Sequence, residues 1–483
     1  MTGQTEFAPQ GLSTGAVAAG TLIVSLLIVA AGSFGPNLSM ALLSAVTLII
    51  GVACLWRSGE APVLLFVFFY QWLQASTAIF QATLANQTLN AFYPEGGNTA
   101  EATILTLIAI VALAIGMRLA AGPVRRDLQG QARVQSTANP PRTWFMLYLA
   151  AWVLGTAGLY ATRLAPAITQ ILNGLDALHW ASFFMLAVAH FNQASRAGWW
   201  FPAAFMFELA GSLGGYFSDF QTVFVVTFLA LMMAGGSFTP RRVLGAALVS
   251  LAALAMAVVW TAIKPEYRQF VSGGEQAQVV QVDYPERIQK LGELAADLDP
   301  QKLDQAVQDL LTRISYVEYF GSTLGYVPAR TPHTEGSILL DAFLRPFMPR
   351  IFFPEKLEID DSERTRLYSG RAVAGADEGT SISLGWVAEM YIDFGRWGMM
   401  IAAAGIGLFY GLIYRFFTQW TRSLGLLGFA VSSAMLISAA PLESSITKVI
   451  GGVVSGVIVA WLIIRFLVPR WCPWVVSRAA NPG

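Results

Sequence analysis

The stretch from Arg345 to Lys356, RPFMPRIFFPEK, sets two arginines and a lysine among three prolines and a row of aromatic and aliphatic side chains. Arginine presents a planar fork of donors and lysine a point charge, and both recognise phosphate oxygens through charge-assisted hydrogen bonds worth about 1.5–3 kcal/mol each. Proline restricts φ and removes N–H donors, so regular helix is excluded here and Arg345, Arg350 and Lys356 would stand on a stiff turn. The same residues also fit a solvated loop, its basic groups meeting lipid headgroups or the nearby acids Glu355 and Glu358. Further cations follow or precede in the same part of the chain: Lys264 and Arg268 in KPEYR, then Arg313, Arg330, Arg364, Arg366 and Arg371. For any one of them, a surface ion pair competes with a ligand role.

The elements that must position these groups are membrane helices. Of 483 residues, 55% are hydrophobic and 12% charged, and a mean hydropathy of +0.55, with repeated apolar runs near twenty residues long, exceeds what a soluble core uses. The reading is an all-α polytopic membrane protein of about twelve transmembrane helices. Spans are expected near 12–31, 37–56, 61–82, 101–121, 143–162, 177–194, 198–217, 219–236, 243–263, 396–417, 423–441 and 446–468. The opening residues MTGQTEFAPQ carry no basic segment, so the first apolar run is expected to be a retained span and not a cleaved signal. Arginines gather in alternate connections, at Arg57, between Arg118 and Arg142, at Arg241 and Arg242, and after Arg465, whereas Arg163 stands nearly alone in the others. By the positive-inside rule both termini face the cytoplasm. Formal net charge is zero, which argues against a nucleic-acid partner.

That topology makes residues 264–395 one large extracytoplasmic loop, between a bundle of about nine spans (1–263) and a second of about three (396–483). The loop is partly helical: Asp299-Pro300 reads as an N-cap followed by proline at the first helical position, and Leu303, Ala306, Val307, Leu310, Leu311 and Ile314 recur at helical spacing. A second amphipathic stretch, SLGWVAEMYIDFGRWG, leads into the tenth span. Glu208, in FMFELAG, falls mid-span, where an ionised group costs about 2.5–3.5 kcal/mol, so it must face the bundle interior or a polar cavity. Tyr216, Asp219 and Gln221 fall at the outer end of two consecutive spans, and Lys448 is placed to snorkel or to pair with Glu443. His179 and His190 lack metal-site spacing and are expected to hydrogen-bond within the bundle; Cys54 and Cys472 suggest neither a disulfide nor a zinc site. No metal and no cofactor is expected.

The order of PRIFFPEK, a polar glycine-rich stretch, then TSISLGWVAEMYIDFGRWG and a tenth span resembles the Wzy-type polymerases of bacterial O-antigen and exopolysaccharide. The Glu-x-Tyr-x-x-Phe-Gly-x-x-Gly element, here Glu389, Tyr391, Phe394, Gly395 and Gly398, carries part of that likeness, and the many spans with one large periplasmic loop carry the rest. The resemblance implies a glycosyltransferase of the GT-C type in the bacterial inner membrane. It would join repeat units linked to undecaprenyl diphosphate, alongside flippase and chain-length regulator proteins. On that implication the leaving group is a lipid diphosphate needing fixed cations, with Arg350, Lys356 and Arg268 first, then Arg345 and Lys264. The acceptor hydroxyl needs a base; Glu389, Asp219, Asp341 and His333 are the candidates, left unranked. Trp386 and Tyr391 could stack on sugar or anchor at the interface. A glycan ligase with the same donor, and a flippase or transporter, are the alternatives; transporters usually show paired repeat halves and charge-bearing helices near the midplane, whereas this sequence shows no repeat and intramembrane charge is sparse.

Overall fold

The computed structural model describes residues 13–123, 126–164, 174–193, 198–213, 215, 220–234, 240–274, 280–348, 352–353, 355–356, 359–375, 381–420 and 424–475. Among them no strand occurs. The first bundle runs through helices α1 (Thr14–Gly32), α2 (Leu38–Leu55), α3 (Val63–Leu84), α4 (Thr99–Ala121), α5 (Arg126–Ala138), α6 (Pro141–Leu164), α7 (Asp176–Asn192), α8 (Trp200–Leu213), α9 (Phe220–Ala234) and α10 (Pro240–Val271). Shorter helices follow, α11 (Tyr284–Ala296), α12 (Pro300–Ile314), α13 (Glu318–Tyr326), α14 (Ser337–Leu344) and α15 (Asp361–Ser369), before α16 (Trp386–Arg415), α17 (Leu426–Leu436) and α18 (Ile446–Phe466) close the chain.

Eight helices among the described residues are long and apolar enough to cross a membrane, lying in α1, α2, α3, α4, α6, α10, α16 and α18. The chain is therefore an all-helical membrane protein that can cross the bilayer repeatedly. The expected spans at 177–194, 198–217, 219–236 and 423–441 coincide with apolar helices, but α7 has 17 residues, α8 14 and α9 15. At 1.5 Å per residue such lengths fall short of a hydrocarbon core about 30 Å thick.

Helices α4 and α16 form the closest pair. A Cβ on Gly407 would stand 2.1 Å from the Leu113 carbonyl oxygen, and one on Gly116 2.1 Å from that of Ala404. Gly407 and Gly411 are four apart on one helical face, the small-residue spacing that lets membrane helices approach backbone to backbone. Without a hydrophobic driving force inside lipid, such close dispersion contact is what holds the pair. At the centre, α7 packs on α6, α9 and α17. Glu208 is buried there as its mid-span position requires, 2.7 Å from His179 Nε2 and accepting from the Tyr148 hydroxyl. His179 Nδ1 lies 3.2 Å from Asp176.

At the ninth span the helix outruns the expected start of the loop at Lys264, because α10 continues through Pro265 to Val271. Proline removes one N–H donor without ending this helix, and α12 packs along the extension. At the other end, α16 begins at Trp386, breaks at Gly395 (φ 67°, ψ −172°), where the tenth span is expected to start, and resumes; residues 386–393 are buried on every side, so the lead-in is not amphipathic. The positive φ there is open to glycine and strained for side chains bearing a Cβ.

The intervening helices fold onto one end of the bundle. Asp299 caps α12 through Oδ1, 2.7 Å from the Lys302 N–H, as the sequence predicts, and α12 packs on α10 and α3. Arg371 binds the carboxylates of Glu95 and, at 3.3 Å, Glu318, while its guanidinium lies 4.6 Å from the Tyr319 ring centroid. At the opposite end Arg57 donates to the Gly122 carbonyl (2.7 Å) and pairs with Glu60 (3.6 Å), which accepts from Tyr414 Oη (2.5 Å).

Candidate functional site

Charged side chains collect where α15, α16 and α18 meet at the first of these ends. Asp360 caps α15 by accepting the Glu363 N–H at 3.0 Å, which orients the first turn of that helix toward the bundle. Arg364, one residue further along, then reaches Glu389 Oε1 at 2.6 Å, and the other oxygen, Oε2, accepts the Ile446 N–H at 2.6 Å. Ile446 is the first residue of α18, whose unpaired N-terminal amides favour an anion. Burial opposes the charge on Arg364, but the Glu389 carboxylate outweighs it and holds the guanidinium above its ordinary range. Glu389 is 1% exposed with both oxygens engaged. It joins three elements, and each of its oxygens already accepts a hydrogen bond.

Asp361 is arranged differently. Its Oδ2 lies 2.6 Å from Lys448 Nζ and 3.4 Å from Ser381 Oγ, which also accepts from Lys448 at 3.1 Å. Oδ1 is buried and has no hydrogen-bond partner. Lys448 thus pairs with Asp361 and not with Glu443, the partner expected from sequence. Glu443 is held by Gln74 Nε2 at 2.5 Å, and Gln74 Oε1 accepts the Leu442 N–H at 2.7 Å. That exchange fixes the connection between α17 and α18 against α3, which turns Lys448 toward α15.

A basic group lies beside this one. Lys264 on α10 is within electrostatic reach of Arg268, one turn on, and of Arg313 near the end of α12. Neither Lys264 nor Arg313 makes an ion pair among the described residues. Tyr316 bridges the two groups: Arg313, Glu443 and Asp361 all act on it. Burial, with its neighbour Tyr319 and those two carboxylates adding, pushes the Tyr316 phenol far above its ordinary range, while Arg313 opposes. Its hydroxyl donates to the Ser383 carbonyl. The result is a face with ion-paired carboxylates and cations on the α15 and α18 side, the cations Lys264, Arg268 and Arg313 on the α10 and α12 side, and a neutral phenol between. Among the described residues no three His, Cys, Asp or Glu side chains gather as metal ligands.

The other residues nominated from sequence are placed as follows. Arg350 and Asp219 lie outside the described residues. Arg345 caps its own turn, with Nε 2.6 Å from Asp341 Oδ2. Lys356 folds back to donate to the carbonyls of Arg345 (2.7 Å) and Met348 (3.0 Å), which fastens the proline-rich turn. His333 Nδ1 lies 3.1 Å from the Ile392 carbonyl, and its ring meets Tyr391 edge-on at 5.5 Å. Tyr391 is buried and donates to the Val327 carbonyl at 2.8 Å; Trp386 is buried too. Neither ring presents a face for a sugar. Asp393 accepts the N–H groups of Ile338 (3.1 Å) and Leu339 (2.8 Å) and so caps α14 from a distant part of the chain.

Sequence reasoning listed Arg364 and Arg313 only among many cations, and gave Asp361 no role. An acid three residues before an arginine has the spacing of an exposed helix pair, yet Asp361 goes to Lys448 on α18 and Arg364 to Glu389 on α16. The model of a family described as a domain of unknown function, DUF8712, matches residues 63–442, a range that takes in α3 through α17 and all of the site except Glu443 and the start of α18. No curated protein and no solved structure matches the chain.

Proposed function

The chain belongs to the DUF8712 family, and from the charge arrangement at its loop-covered end we propose that it is a GT-C-type membrane glycosyltransferase. On this reading it polymerises repeat units carried on undecaprenyl diphosphate into O-antigen or exopolysaccharide. The chain then spans a bacterial inner membrane about twelve times, the short helices α7, α8, α9 and α17 included, and residues 264–395 lie in the periplasm.

The observation that carries this reading is the cluster of Lys264, Arg268 and Arg313, in which Lys264 and Arg313 have no ion pair among the described residues. Like charges at close range repel, by roughly 1–4 kcal/mol per pair at 4 Å across the range from water to a protein surface. A fold that keeps them together is suited to a multivalent anion. Lys264 sits in a helix that is otherwise apolar enough to cross the membrane, so the anion is held at the bilayer boundary, where a lipid diphosphate has its headgroup. The donor's diphosphate would rest on these cations. As the bond from the anomeric carbon to the diphosphate oxygen breaks, the charge developing on that oxygen meets groups already in place. The acceptor hydroxyl attacks the same carbon and loses its proton to a carboxylate on the far side of Tyr316.

The test uses the purified chain in liposomes, supplied with lipid-linked repeat units extracted from cells that lack it. A ladder of polymer lengths on a gel is expected. Intact single units that cross the bilayer without being joined would overturn the reading in favour of a flippase.

A further inference from the structure

Among the described residues Asp361 Oδ1 is the one buried carboxylate oxygen with no hydrogen-bond partner. Buried polar atoms in folded proteins are nearly always satisfied, so an unsatisfied one asks for a reason. Glu389 and Asp393 are engaged through both oxygens, by Arg364 and the Ile446 N–H and by the start of α14, while Asp341 and Glu443, less buried than Asp361, are each held through one, by Arg345 and Gln74. Asp361 is held through Oδ2 alone, by Ser381 and by Lys448, which is itself 48% exposed.

Two more buried polar atoms without partners lie on the elements that flank it. Ser445 Oγ stands at the start of α18, and Trp386 Nε1 at the start of α16.

We infer that Asp361 Oδ1 is the base that takes the proton of the acceptor sugar's hydroxyl, with Lys448 as the positioning residue that holds the other carboxylate oxygen. This rests on the transferase reading above. In the step, the acceptor oxygen bonds to the donor's anomeric carbon. The bond from that carbon to the diphosphate oxygen breaks, and its electron pair leaves with the lipid diphosphate. The hydroxyl proton passes to Asp361 Oδ1 and from there to water. Oδ1 carries no protein donor, so its lone pairs are open to a hydroxyl, while Lys448 supplies the counter-charge at the other oxygen.

The experiment measures transfer by the full chain in liposomes with extracted lipid-linked repeat units. Asp361→Asn keeps the shape and is expected to lower the transfer rate by about 10²–10⁴-fold, the usual contribution of a general base. In Asp361→Gly, sodium formate is expected to restore part of the rate by acting as an external base. A rate within about threefold of wild type for Asp361→Asn, less than a thousandth of the largest loss a general base accounts for, overturns the assignment. So does a loss in a normally melting Asp361→Gly that formate does not relieve, because a merely structural role gives that result. A measurement on the unaltered chain guards against variants that fail to fold: inactivation by a water-soluble carbodiimide should label Asp361, and the acceptor unit should protect it. Inactivation with Asp361 unlabelled also overturns the assignment. A wild-type chain that neither transfers nor hydrolyses the donor removes the transferase reading, and this base with it.

Discussion

Arg364 Nη1 lies 2.6 Å from Glu389 Oε1 at a place where the carboxylate is 1% exposed. The pair joins a helix of the connecting segment, α15, to the first turn of α16, and through the Ile446 N–H to α18. Taking two charges out of water costs several kcal/mol each, and only their mutual attraction with full hydrogen bonding offsets it. The energetics are therefore lopsided: breaking the pair hurts more than never having had it.

Arg364→Met should destabilise the protein by about 3–5 kcal/mol, since it leaves Glu389 buried with a single backbone donor. Adding Glu389→Gln should recover much of that loss, because the amide oxygen still accepts the Ile446 N–H while the stranded charge is gone. Melting temperatures in one detergent, compared over the double-mutant cycle, decide it. Purely additive losses would show that the two side chains do not act as a pair.

The helix pair α4–α16 offers a control built into one helix. Gly407→Ala puts a methyl 2.1 Å from the Leu113 carbonyl oxygen, whereas Gly405→Ala meets nothing within 4 Å. The first should cost about 1–3 kcal/mol by overpacking. The second should be neutral, or stabilising by up to about 1 kcal/mol from helix propensity. Equal effects in a thermal melt would mean that the two helices do not touch at Gly407.

Much of this fold could be read along the chain, because the hydrocarbon core imposes one length and one composition on every full crossing. The cap at Asp299 and the burial of Glu208 follow from equally local rules. What could not be read is whatever depends on two distant segments meeting. Asp393 looks like a surface acid until its oxygens are seen to cap α14. Lys448 has Glu443 five residues before it, yet Gln74 takes that carboxylate and Asp361 takes the lysine. Glu389 is one of four unranked candidates for the base, and only the approach of Arg364 and Ile446 shows both its oxygens engaged. Occupancy is a property of neighbours that sequence spacing does not fix.

Sidedness is testable on α12, whose residue Gln308 is exposed. With Cys54 and Cys472 replaced by serine, Gln308→Cys should react with a membrane-impermeant maleimide in intact spheroplasts. Labelling that appears only after lysis would put residues 264–395 in the cytoplasm, where no periplasmic polymerisation can occur.

The cluster of Lys264, Arg268 and Arg313 makes a prediction in two parts that must go together. Arg313 is exposed and acts on Lys264 across the groove between α12 and α10. Removing its charge by Arg313→Gln takes away a repulsion and no ion pair, so the unliganded protein should melt at the same temperature or higher. The same change should weaken binding of undecaprenyl diphosphate by about 10- to 150-fold, the equivalent of one charged hydrogen bond of roughly 1.5–3 kcal/mol. Lys264→Met should behave likewise, and because its cation is the one beset by both arginines, its gain in melting temperature should be the larger. Stability that rises as ligand affinity falls is the mark of groups kept for binding at the expense of the fold. Binding measured in nanodiscs at two salt concentrations completes the test, since contacts to phosphate weaken with salt where exposed charges are screened. If both variants bind the lipid diphosphate as the wild type does, the cations are surface charges at a helix junction, and the donor site must be sought at the turn that carries Arg350.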